Sequence, residues 1–162
     1  MADEQWEWLS DKLSTSVADF LFVAGHYPIY SAGSDGTTDL LVDRLLPLLA
    51  ASGAHYLSGH DHMWEHIVDD SGVNMFLAGA GKECCYDPKN METVPDGFIK
   101  FMISGDSGSG DSIGYDGGKK GKIGGGFQSL AFDDDGVTVT FHDQDGEDLY
   151  VAPKLSKREL NN

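Results

Sequence analysis

Apolar and polar positions along the first 60 residues describe a helix, a strand, a second helix and a second strand. Trp6, Leu9, Leu13 and Val17 recur every three or four positions and predict an amphipathic helix over residues 4–17. The run "FLFVAGH" is continuously apolar and short, the pattern of a buried parallel strand, and it ends in Gly25-His26. Polar "SAGSDGTT" then reads as a loop. "DLLVDRLLPLLAAS" is helical, with Thr38 or Asp39 as N-cap, a kink or break at Pro47 and a stop at Gly53. "AHYLSGH" is a second short strand, and it too ends in Gly-His.

Strand, helix, strand in this order is a βαβ unit, whose strands run parallel and lie side by side. Their C-terminal ends then share one edge of the sheet, about 4.8 Å apart. His26 and His60 fall immediately past those ends, where open α/β sheets bind ligands. The pattern changes after His62. "MWEHIVDDSGVNMFLAG" reads as a hairpin turning at Asp70-Ser71-Gly72, "GFIKFMI" as a further strand, and "FQSLAF", "VTVTFH" and "DLYVA" as three strands joined by turns at Asp135-Gly136 and Asp145-Gly146. Residues 104–126, rich in Gly, Ser, Asp and Lys, predict a flexible loop, and residues 153–162 a frayed tail. Residues 1–152 thus form one α/β domain.

Histidines two apart in an extended segment point to the same side, so His60 and His62 can both face the edge that carries His26. Neutral imidazoles suit zinc, iron and related ions. Three of them at one edge favour a metal site over an ordinary surface turn. Either one ion is held by all three, or two ions roughly 3.5–4 Å apart share them. Asp61 either orients a ligand or faces solvent. His55, His66 and His142 lie at or within strands and read as surface or packing residues.

Charge narrows the partners. With 11 Lys and Arg against 27 Asp and Glu, the net charge is -16, which disfavours nucleic acid and anionic membranes. An anionic substrate requires a locally bound cation. No apolar run reaches the roughly 18–20 residues of a membrane span, and the opening "MADEQWEWLS" has neither the basic nor the apolar region of a signal peptide. Lys119, Lys120 and Lys122 sit in the glycine-rich stretch without the glycine spacing of a phosphate loop, and "FDDDGV" misses the first carboxylate of a calcium loop. Adjacent Cys84 and Cys85 are expected as two free thiols, or as one paired to another chain, because a bond between neighbours is strained.

"VAGHYPIYS", "YLSGHDHMWEHI" and "LAGAG", in this order and spacing, resemble the C-terminal half of the purple acid phosphatases, of the small tartrate-resistant branch of the metallophosphoesterases. The similarity runs from "QWEWLSDKL" to "VTVTFHDQDGEDLY". The resemblance implies the C-terminal half of a four-layer α/β/β/α sandwich. It also implies a binuclear centre, Fe(III) beside Fe(II), Zn or Mn, that hydrolyses phosphomonoesters. In that scheme His62 serves the ferric ion, and His26 and His60 the divalent one. Nine residues after His26 the family places a histidine near the leaving group, where this chain has Asp35. The family's aspartate, tyrosine and asparagine ligands, in motifs like GDxG, GDNFY and GNHD, do not occur here. The partners expected are therefore a phosphomonoester and the missing N-terminal half. Complete family members are secreted, vacuolar or lysosomal. The rival expectation is a non-catalytic fragment or pseudoenzyme that keeps the scaffold and at most one metal.

Overall fold

A computed structural model of the chain describes residues 2–81, 84–106, 112–114 and 119–159. The amphipathic repeat forms α1, Ala2–Thr15. Leu13 is buried, while Val17 lies past the helix end and is exposed, so the stripe stops one turn earlier than its spacing suggests. The next helical pattern divides into α2 (Asp39–Arg44) and α3 (Leu46–Ser52), with Pro47 in the first turn of the second helix. Proline has no N–H to give to the carbonyl one turn back, so a break there loses little. Gly53 ends α3 in the left-handed region (φ 63°), its N–H donating to the Ala50 and Leu49 carbonyls.

β1 (Phe22–Ala24) and β2 (His55–Ser58) pair in parallel with Phe22 opposite His55, as the βαβ pattern requires. β2 also runs parallel to β4 (Asn74–Ala78), the returning arm of the hairpin begun by β3 (Trp64–Val68). Asp69 closes that hairpin turn, accepting from the backbone N–H groups of Ser71 and Val73. β5 (Ile99–Gly105) joins β3. Among the described residues the sheet order is β1-β2-β4-β3-β5-β6-β7. β1 is therefore an edge strand, half-buried to exposed, and not the fully buried strand that its apolar run suggested.

The stretch 104–126, expected as an unpaired loop, supplies part of this sheet. β5 extends to Gly105, and β6 (Ser112–Gly114) and β7 (Lys119–Gly121) pair antiparallel beyond it. Sheet ladders are made by backbone groups, so a polar, glycine-rich edge can form them without an apolar face. Residues 107–111 and 115–118 of that stretch lie outside the described residues.

A second sheet, in order β10-β9-β8, is built from β8 (Gly126–Asp133), β9 (Gly136–Asp143) and β10 (Asp148–Val151). Two cores result. Leu13, Leu45, Leu49, Tyr56, Ile67, Met75 and Leu77 fill the space between the helices and one face of the large sheet. Trp64, Phe76, Ile103, Val137, Val139 and Phe141 fill the space between the two sheets. Alternation along β4 sends Met75 and Leu77 to the first core and Phe76 to the second. The layers are α/β/β.

The tail packs instead of fraying through Arg158. Leu155 and Val137 exchange backbone hydrogen bonds at 2.8 and 3.0 Å. The Arg158 guanidinium donates to the carbonyls of Ser16, Ala18 and Ser52, tying the end of α1 to the end of α3. A tail of polar composition holds here because its donors meet backbone carbonyls that need partners. Cys84 and Cys85 are bonded to each other, where two free thiols or a bond to another chain were expected.

Candidate functional site

The parallel ladder continues beyond both strands. Gly25 N–H donates to the Leu57 carbonyl at 3.0 Å, and Gly59 N–H to the His26 carbonyl at 3.1 Å. His26 and His60 consequently leave the sheet side by side, with His26 Nε2 3.0 Å from His60 Nδ1. His60 takes a left-handed backbone (φ 71°), which few residues other than glycine adopt. The Tyr27 ring packs against both imidazoles, its centroid 4.4 Å from that of His60 and 5.1 Å from that of His26. Asp35 reaches the far side of His60, its Oδ2 3.5 Å from Nε2.

The loop carrying Asp35 is fastened from below. Asp61 is fully buried, which answers the question its position in the sequence left open. Its Oδ2 accepts from the Ser31 hydroxyl at 2.5 Å and its Oδ1 from the Asp35 N–H at 3.0 Å. Gly33 passes so close that a Cβ there would overlap the Asp61 carboxyl group, and a Cβ on Gly79 would overlap the Asp61 carbonyl. Glycine is thus needed at both points, and the "LAGAG" segment is a floor for the histidine turn. Asn90 holds the other side of the loop through the carbonyls of Ala32 and Gly33.

Glu65 lies deeper still. One oxygen accepts from the Ala32 N–H at 2.9 Å, and the other is buried without a hydrogen-bond partner. Burial pushes its carboxyl up to about 7, the Asp61 charge adding to a rise that the Ala32 N–H opposes. Burial thus favours the neutral carboxyl of Glu65 well above the pH at which an exposed glutamate ionises.

His62 points elsewhere. Its ring stacks on Tyr86 at 4.4 Å, and its carbonyl accepts from the Tyr86 N–H. Among the described residues no group of three or more His, Cys, Asp or Glu side chains is gathered to hold a metal ion. The structure thus unites His26, His60 and Asp35 but does not bring His62 into that group. The two ring nitrogens that face each other, His26 Nε2 and His60 Nδ1, lie at hydrogen-bond distance, and imidazole is a donor type that zinc and iron take.

The other histidines are structural. His66 is buried and stacked on Phe76, bonded to Tyr150 and Asn74, and burial lowers its pKa. His55 accepts from the Asn74 N–H, and burial lowers it to about 4, with the nearby His66 adding. His142 bridges Ser129 and Asp148. Sequence reasoning missed Ser31, Glu65, Tyr86 and Asn90. None carries a pattern of its own, and only Glu65, a charged residue inside the β3 strand, offered a clue.

No family model matches the chain. Human tartrate-resistant acid phosphatase type 5 is 34% identical over 159 residues, covering 98% of this chain and 44% of that protein. Purple acid phosphatase 17 of Arabidopsis thaliana is 31% identical over 144 residues, covering 88% of this chain and 37% of that protein. The chain matches the C-terminal half of the purple acid phosphatases. It spans less than half the length of these relatives. Among solved structures, purple acid phosphatase PPD1 from yellow lupin seeds superposes with a TM-score of 0.55 at 15% identity, over 91% of this chain and 27% of that one. A Plasmodium protein described as GAP50, the anchor in the inner membrane complex, gives 0.69 at 23% identity, over 97% and 43%. Both support the fold alone. The α/β/β layers of this purple acid phosphatase-like chain resemble the C-terminal part of the metallophosphoesterase sandwich.

Proposed function

We propose that the chain is the histidine-bearing half of a phosphomonoester hydrolase. The observation that carries this reading is the meeting of His26 Nε2 and His60 Nδ1, 3.0 Å apart, at the edge where two parallel strands end. By the family's pattern His26 and His60 would hold the divalent ion, Fe(II), Zn or Mn, and His62 the Fe(III). His62 would have to leave its stack on Tyr86 or approach it from the open side. The metals would supply positive charge for the phosphate and a nucleophile drawn from water near neutral pH. The chain's own share is to present imidazoles on a rigid edge, with Tyr27 walling one side.

The partner we propose is the polypeptide equivalent to the N-terminal half of the relatives. Among the described residues β1 is an edge of the large sheet and β8 an edge of the small one, and exposed Phe132 of β8 lies 5.9 and 6.3 Å from half-buried Phe20 and Phe22. Neighbouring edges with an exposed aromatic beside them suit strands continued by another polypeptide.

Co-expression with the N-terminal half of a tartrate-resistant acid phosphatase, followed by loading with iron and zinc, tests this. Aryl phosphate hydrolysis should require both polypeptides and disappear with His60→Ala. Activity that survives His60→Ala would overturn the assignment. A folded, metal-loaded pair without activity would favour the rival reading, a non-catalytic scaffold.

A further inference from the structure

The two ring nitrogens of His60 face different things: Nδ1 is hydrogen-bonded to His26 at 3.0 Å, and Nε2 lies 3.5 Å from Asp35 Oδ2. A carboxylate beside Nε2 favours the tautomer with the proton there, leaving the Nδ1 lone pair directed toward His26. Asp35 is itself half-exposed, and among the described residues its carboxylate pairs with the His60 ring alone. Its backbone is held: the Asp35 N–H is bound to buried Asp61, Ser31 braces Asp61, and Gly36 turns the chain with φ 74° against Asn90.

We propose that Asp35 is a positioning residue for the metal ligand His60, and that the buried Ser31–Asp61 pair holds Asp35 in that place. This inference rests on the reading of His26 and His60 as ligands. It departs from a leaving-group role for Asp35, because its carboxylate lies behind the His60 ring and not on the side shared with His26. Asp61, adjacent to two candidate ligands, acts through the loop and not as a ligand: both its oxygens are taken by Ser31 and Asp35.

The experiment is zinc titration by calorimetry on the full chain as wild type, Asp35→Ala, Asp35→Asn, Asp61→Asn and the Asp35→Ala/Asp61→Asn double variant, each with its thermal midpoint. Loss of an outer-shell partner weakens metal binding about 10- to 100-fold. Asp35→Ala should therefore bind zinc about 10-fold more weakly with an unchanged midpoint. Asp35→Asn, which keeps an acceptor oxygen, should recover most of that loss. Asp61→Asn should lower both affinity and midpoint, and the double variant should bind no more weakly than the weaker single variant, as expected for residues acting in series. Equal zinc affinity in wild type and Asp35→Ala would overturn the positioning role while leaving the metal site intact. Additive losses would overturn the link through Asp61. Wild type that binds no zinc, or binds it as tightly after His60→Ala, would overturn the metal reading itself.

Discussion

Glu65→Gln isolates a strongly perturbed buried carboxyl group. In the folded chain its proton is held up to a pH of about 7, against an ordinary 4.5, because the group is fully buried. Between those values the folded chain keeps a proton that the unfolded chain has released, so stability falls as pH rises through this window. Each pH unit of displacement is worth about 1.4 kcal/mol, so the full effect above pH 7 is about 3 kcal/mol. His55 acts in the opposite direction. Its pKa is lowered to about 4, so its contribution is lost as pH falls from 6.5 toward 4. The two trends offset each other in the wild-type profile, and only the difference between wild type and variant reads Glu65. Glutamine keeps the acceptor for the Ala32 N–H and carries no charge at any pH. Urea denaturation at half-unit steps from pH 4 to 8 should give similar stabilities near pH 4.5 and a gain for Glu65→Gln growing to about 3 kcal/mol by pH 8. Parallel curves for the two proteins would refute the assignment of a buried, proton-holding carboxyl to Glu65.

Phe141→Ala should cost about 4 kcal/mol in urea denaturation, since the ring is fully buried between the sheets, 5.8 Å from Phe101 and 6.3 Å from Phe76. Gly53→Ala should cost about 1 kcal/mol by the same measurement, because its φ of 63° is one that alanine resists. Gly33→Ala would press a methyl group onto the Asp61 carboxyl group, so we expect about 1–3 kcal/mol of destabilisation together with weaker zinc binding. Arg158→Ala releases the carbonyls of Ser16, Ala18 and Ser52 and should lower stability by about 2 kcal/mol without altering zinc affinity, because it lies at the opposite end of the strands.

The βαβ unit, the break at Pro47, the stop at Gly53 and the placing of His26 beside His60 were all legible in the sequence. Each follows from local rules: a period of apolar positions, a missing N–H, a left-handed glycine, and the parallel crossover that aligns two strand ends. Family resemblance rested on the same short motifs, because glycine and histidine there answer to backbone geometry and chemistry at once. Other features depended on partners distant in sequence. β1 proved to be an edge strand because β4 took the other side of β2. The polar 104–126 stretch joined the sheet through backbone bonds that composition does not encode. Asp61 and Glu65 were ordinary acidic residues until folding buried them beneath a loop 30 residues away, and burial alone decided that one anchors the loop and the other holds a proton. Local sequence determines which way the chain turns; the free energy of a buried charge depends on what surrounds it, and only the tertiary fold supplies that.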